Sequence, residues 1–149
     1  MSEESEFKLE EKVKKRIKDG WIRTWMMIEV LAVTEEAAKT ALQKHVEMMD
    51  RETARSMIYK KHFKEAQKVE KPIPHIESAY SLVVEIEMVA QDFETLAYLV
   101  MNYAPSAVEI LEPDTVKMDV GEAQGILNSL AEMVHKFAAA GVGGIIVKT

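Results

Sequence analysis

YSLVVEIEMVAQ, running from Tyr80 to Gln91, is the cleanest two-residue alternation in the chain. Tyr80, Leu82, Val84, Ile86, Met88 and Ala90 point to one side of an extended backbone, and Ser81, Val83, Glu85, Glu87, Val89 and Gln91 to the other. The first face is wholly apolar and has to lie on a core. The second mixes valines with two carboxylates, so it calls for water, a mixed cover or a partner. Residues 80–91 are therefore expected to form a central strand.

Upstream, WIRTWMMIEVLAV (Trp21–Val33) is rich in β-formers and too apolar for an exposed strand. Ile22, Met26, Ile28, Val30 and Ala32 share one face; Trp21, Arg23, Trp25, Met27, Glu29, Leu31 and Val33 share the other. Thr34 is placed to cap a following helix whose first turn carries Glu35 and Glu36, with Ala38, Ala41, Leu42, Val46 and Met49 in its buried stripe and His45 at its edge. RSMIYKKHF (Arg55–Phe63) reads as an edge strand guarded by its lysines, with Met57, Tyr59 and Phe63 opposite Ile58, Lys60 and His62, though a helix is also compatible with it. The segment KVEKPIPHIES reads as a connection, because Pro72 and Pro74 disfavour helix and central strand.

Beyond the central strand, Asp92 caps a helix with Leu96, Leu99, Val100 and Tyr103 on its stripe. AVEILE (Ala107–Glu112) is a short strand, and residues 121–140 form a helix with Ala123, Leu127, Leu130, Val134 and Phe137 in line, stopped by Gly141. Ile145 to Val147 is a short β-prone run suited to a sheet edge. At the other end, residues 1–6 read as disordered, and a short amphipathic helix carrying Leu9, Val13 and Ile17 runs from Phe7 to Asp19-Gly20. It reads as a flap or an oligomer contact. The chain thus divides into a charged helical extension (1–20) and one α+β domain (21–149), with its core in 21–112 and a helix and tail in 113–149.

This β-α-β-β-α-β order resembles the ferredoxin-like sandwich, whose four antiparallel strands lie in the order 4-1-3-2 with both helices on one face. In size the chain is similar to the ACT and P-II regulatory domains of that superfamily, but it carries no ligand motif of either. It also resembles small uncharacterised archaeal proteins of this fold. The resemblance implies fold far more than activity.

The chain has 149 residues, 48% of them hydrophobic, which is enough for one closed core. It contains no cysteine, which fits a reducing, cytoplasmic setting and leaves no thiolate for metal or catalysis. No apolar run approaches the length of a membrane span, and the N-terminus lacks the apolar stretch of a secretion signal. The net charge of −6 disfavours nucleic acid, although the lysines between Lys60 and Lys71 form a local basic hairpin that keeps RNA as a third reading.

Two features invite chemistry. If the first and third strands are neighbours, about 4.8 Å apart, then Glu29, Glu85, Glu87 and Glu109 share one sheet face and offer oxygen ligands to a divalent cation such as Mg²⁺ or Mn²⁺. Pairing with Arg23, Lys60 or Lys61 is the competing account. The same face carries Trp21, Trp25, Met27, Leu31 and Val83, an apolar patch that wants a cover, either the last helix or a second copy of the chain. The four histidines show no ligand spacing, although His62 and His75 flank one connection. No serine has a recognisable base partner, so no catalytic residue is assigned. The sequence thus favours a non-enzymatic module that senses a small molecule or assembles, dimeric through its open face. The alternative is a metal-binding protein or metal-dependent enzyme using the carboxylates.

Overall fold

β4 (Ile76–Ala90), 15 residues long, is the strand on which the sheet is assembled in the computed structural model, which describes residues 2–140. β1 (Ile22–Ala32) runs antiparallel along one side of it, from Ile22 opposite Ala90 to Ala32 opposite Tyr80. On the other side, β2 (Ser56–Phe63) pairs with the C-terminal half of β4 and β3 (Gln67–Ile73) with the N-terminal half. β5 (Ala107–Glu112) closes the far edge on β1. α1 (Glu3–Lys18), α2 (Glu35–Arg51), α3 (Phe93–Tyr103) and α4 (Val120–Ala139) complete an α+β fold with a five-stranded antiparallel sheet.

The sheet has five strands where four were expected. β2, β4, β1 and β5 are neighbours in that order, and β3 adds a fifth strand beside β4. Residues 67–73, expected to be a connection, are a strand because Pro72 sits on an outer edge, where the missing N–H breaks no ladder bond. The segment 55–63, open between helix and strand, is a strand. Its two faces differ from simple alternation: the register shifts between Ile58 and Lys60, so Tyr59 and Lys60 both serve the open face, and Phe63 falls opposite Val84 on the core side.

The alternation of β1 and β4 holds throughout their shared length. Met26, Ile28, Val84, Ile86 and Met88 are buried beneath Leu42, Val46 and Met49 of α2 and Leu96 and Leu99 of α3. Each such side chain contributes roughly 1.5–3 kcal/mol relative to exposure. Thr34 and Asp92 cap α2 and α3 as expected, accepting from the N–H of Ala37 and Thr95. α1 starts earlier than expected. Ser2 caps it by accepting from Ser5 N–H, and Glu3, Glu4 and Glu6 occupy the first turn, so residues read as disordered are helical through cap and dipole.

α4 lies against α3, not across the open sheet face. Gly125 faces the Glu94 side chain of α3, whose carboxylate occupies the space that a Cβ would take. Its half-buried positions include Gly125, Ile126, Ser129 and Met133, while Leu127, Leu130, Val134 and Phe137, expected as the buried stripe, stay exposed. The expected helix stop at Gly141 and strand at Ile145–Val147 lie outside the described residues. Among those described, no helix is long and apolar enough to cross a membrane.

The end of α2 is stapled to α3 through one carboxylate. Glu52 accepts from the Tyr98 hydroxyl at 2.8 Å and from the Tyr103 hydroxyl, while His45 Nε2 lies 2.8 Å from the Tyr103 carbonyl. The Tyr103 hydrogen bond, then that of Tyr98, holds the Glu52 carboxyl below its usual range. Burial, then Glu52, pushes Tyr103 up to about 12. A depressed carboxylate contributes stability above its unfolded value, near 4.3, and loses it as pH falls through the folded value. A raised phenol behaves oppositely, and its contribution fades above about pH 10. Chemical denaturation across pH should therefore show wild-type stability declining more steeply than that of Glu52→Gln below about pH 4.5.

Candidate functional site

A turn at Gly20 brings α1 back over the open face of the sheet. Its φ of 94° lies in the region that a side chain resists, so the reversal favours glycine. Trp21 is then buried beneath the helix, with the Arg16 guanidinium 4.5 Å from its ring centroid, and Val13 and Val89 complete a small second core with Ile17, Met57 and Tyr59 beside it. Only this inner stretch of α1 is pinned. Along the rest of its length, a cleft of about 670 Å³ separates helix from sheet.

On the helix side Leu9, Val13 and Ile17 form an apolar stripe between Glu6, Glu10 and Lys14, and Arg23, Tyr59, Lys60, Glu87 and Glu112 form the polar floor. The register explains the convergence. Lys60 lies opposite Glu87 across β2 and β4, and Arg23 lies opposite Glu112 across β1 and β5. Irregularities at Tyr59 and at Arg23/Thr24 turn additional side chains onto this face. Arg23 donates to Glu87 Oε1 at 3.3 Å and to Glu112 Oε1 at 3.4 Å. The Tyr59 hydroxyl donates to Glu87 Oε1 at 3.1 Å, and Lys60 Nζ lies 3.3 Å from Glu87 Oε2. Burial pushes the Tyr59 hydroxyl up, with the Glu87 charge adding to it and the Arg23 hydrogen bond opposing, so Tyr59 stays a neutral donor.

The four candidate carboxylates share a face but not a point. Glu87 and Glu109 stand on opposite sides of Trp25, Glu85 lies opposite Met27, and Glu29 lies opposite Val83. Glu87 is held by Arg23, Tyr59 and Lys60, and Glu85 has Lys64 and His62 each at 3.7 Å. Glu29 and Glu109 are exposed. Among the described residues, no group of three or more His, Asp and Glu side chains is placed to hold a metal ion. His62 and His75 do not meet, because the β3–β4 hairpin carries His75 to the far end of β4.

The apolar candidates divide as well. α1 covers Trp21; Trp25, Met27 and Val83 are half-buried, and Leu31 is exposed. Three contributors to the cleft carried no separate signal in sequence. Tyr59 shares the open face with Met57, but only the bulge beside it sets Lys60 on that face as well. Glu112 reaches the site only through the shift of β5, and the apolar stripe of α1 reads as a flap without indicating what lies beneath it.

These features define an α+β protein with a fully antiparallel sheet, helices packed on one face and a helix-roofed cleft on the other. The sequence model of the MJ0538 family matches residues 23–140, and the chain belongs to that family. The match begins at Arg23 in the cleft floor and includes α4, while α1 precedes it. No curated protein and no solved structure shows significant similarity to the chain.

The distribution of partners predicts unequal costs for removing carboxylates. Glu87→Ala leaves the partly buried Arg23 and Tyr59 short of an acceptor and should cost about 1–3 kcal/mol. Glu29→Ala and Glu109→Ala should fall within about 0.5 kcal/mol of wild type. Urea denaturation midpoints of the three variants test this, and equal effects would contradict the assignment of Glu87 as the centre of the floor.

Proposed function

We propose that the protein is a non-enzymatic, self-associating module that binds a small molecule in the cleft between α1 and the sheet. The observation that carries this reading is the cleft itself: about 670 Å³, with Leu9, Val13 and Ile17 as an apolar stripe flanked by Glu6, Glu10 and Lys14 on the helix side and converging polar groups on the floor, a size that suits a small polar ligand with an apolar part. The floor presents both signs of charge, with Arg23 and Lys60 beside Glu87 and Glu112. Its complement is a ligand carrying an anionic and a cationic group together with an apolar part that lies on Leu9, Val13 and Ile17.

The ion pairs of the floor support exchange with such a ligand. At 3.3–3.4 Å they are longer than the 2.7–2.9 Å of strong charge-assisted bonds. Little is lost when ligand groups take over one side of each pair. The Tyr59 hydroxyl, raised chiefly by burial, offers a hydrogen-bond donor on the floor at neutral pH. We further propose that the sheet is a ferredoxin-like one extended by β3, a reading supported by the neighbour order β2-β4-β1-β5 with α2 and α3 packed on the core formed by β1 and β4. The absence of cysteine supports a cytoplasmic setting.

Thermal unfolding with the standard amino acids, simple carboxylates and simple amines at millimolar concentration tests the binding reading. An amino acid with an apolar side chain should raise the wild-type midpoint by several degrees, since a ligand at a hundred times its Kd adds about 2.7 kcal/mol. Arg23→Gln should abolish the rise and Val13→Asp should weaken it. A rise that survives Arg23→Gln, or no rise with any zwitterion, would sink this reading of the cleft.

A further inference from the structure

α4 carries an apolar seam that no described residue covers. Val120, Ala123, Leu127, Leu130, Val134 and Phe137 follow one another in steps of 3, 4, 3, 4 and 3, the spacing of the a and d positions of a coiled coil. Leu127 is 60% exposed, Leu130 41%, Val134 44% and Phe137 49%, and the helix has no fully buried residue. One shoulder of this seam, Ile126 and Met133, is half-buried on the side that faces α3. The other shoulder is Gln124, Ala131 and Ala138, small or uncharged residues that let another helix approach closely. Leu127, Leu130, Ala131, Val134, His135 and Ala138 line an open groove of about 420 Å³ along it.

We infer that the seam of α4 is the surface on which a second copy of this chain docks, α4 against α4 in antiparallel about a two-fold axis that passes between Leu130 and Val134. This names the surface for the self-association proposed above, and it does not depend on what the cleft binds. In that pairing Leu127 meets Phe137 of the other copy and Leu130 meets Val134, so the four inner residues of the seam pair with one another, while Val120 and Ala123 lie past the end of the other copy's α4. Charge selects the same partner. A chain of net charge −6 repels its own kind over most of its surface, but beyond its first turn α4 carries only Glu132 and Lys136 as formal charges, and these pair with each other at 3.1 Å. A basic or acidic partner finds no complementary handle there. At the exposures above, the seam offers roughly 400–500 Å² of apolar surface per copy, so pairing removes on the order of 1,000 Å² in total, about what a specific interface needs.

Light scattering over a concentration series, on the full chain and on Leu130→Glu, Phe137→Lys and Trp25→Glu, tests the inference, with circular dichroism verifying that each variant is folded. The expected result is a wild-type dimer that Leu130→Glu and Phe137→Lys each convert to monomer, raising the dissociation constant at least about a hundredfold, while Trp25→Glu remains dimeric. A dimer dissociated by Trp25→Glu and untouched by the two α4 variants would overturn the inference and leave self-association standing. A wild-type monomer at every concentration would overturn both. If deletion of residues 141–149 then produced a dimer, that segment and not a second copy would be the occupant of the seam.

Discussion

The antiparallel pairing of β1 with β4 is the constraint on which everything else in the molecule depends. Eleven consecutive pairs, from Ile22 opposite Ala90 to Ala32 opposite Tyr80, lock two alternating strands in one register. A slip of one residue would turn one strand over relative to the other, sending either Met26 and Ile28 or Ile86 and Met88 toward water and bringing either Arg23 or Glu85 and Glu87 under the helices. Burying those charges without partners costs far more than any alternative pairing returns. The register that seals the core therefore also fixes which polar groups share the open face.

The composition of that open face follows from the same pairing. Across it, Trp25 stands between Glu87 and Glu109, and Met27 between Glu85 and Ala107. Alternating apolar and acidic side chains spaces the carboxylates apart and lets cations from β2 reach the two on β4. The pairing around Glu87 concentrates where three irregular features coincide: the bulge in β2, the shift between β1 and β5, and the return of α1 at Gly20. Each is local, yet together they close one end of an otherwise open sheet into a cleft.

Alternation made β1 and β4 legible, and with them the core, because a period of two over many residues has no helical interpretation. The caps at Thr34 and Asp92 were legible because they depend on one side chain and the next turn. Pattern failed where context overrides it. Pro72 argued against a strand, but only against one with neighbours on both sides. The parity of β2 was lost at Tyr59, since a bulge leaves no trace in composition. Alternation puts the carboxylates on a face, but their separations depend on cross-strand register, which sets Trp25 between Glu87 and Glu109 and which pattern alone does not reveal. α4 shows the limit most clearly: its apolar stripe read as a buried one, whereas the helix rests on α3 through Gly125, Ile126 and Ser129, a face that hydrophobicity alone does not select.

The outward turn of that stripe bears on how the fold tolerates company. The outer edge formed by β2 and β3 carries Lys60, Lys61, Lys64, Lys68 and Lys71 together with Pro72, features that discourage a foreign strand from pairing with it. β5 on the opposite edge is only six residues long. The open face carries carboxylates at regular intervals, so a second copy laid on it would oppose like charges unless cations intervened. Of the surfaces described, the seam of α4 is the one where apolar area is continuous and charge is nearly absent. It also lies in the helical layer, away from the cleft beneath α1. A copy docked there leaves the mouth of the cleft clear, and the charged groups of the floor neither help nor hinder the contact. The proposed binding and the proposed assembly thus use opposite sides of the sheet, and neither requires the other's surface.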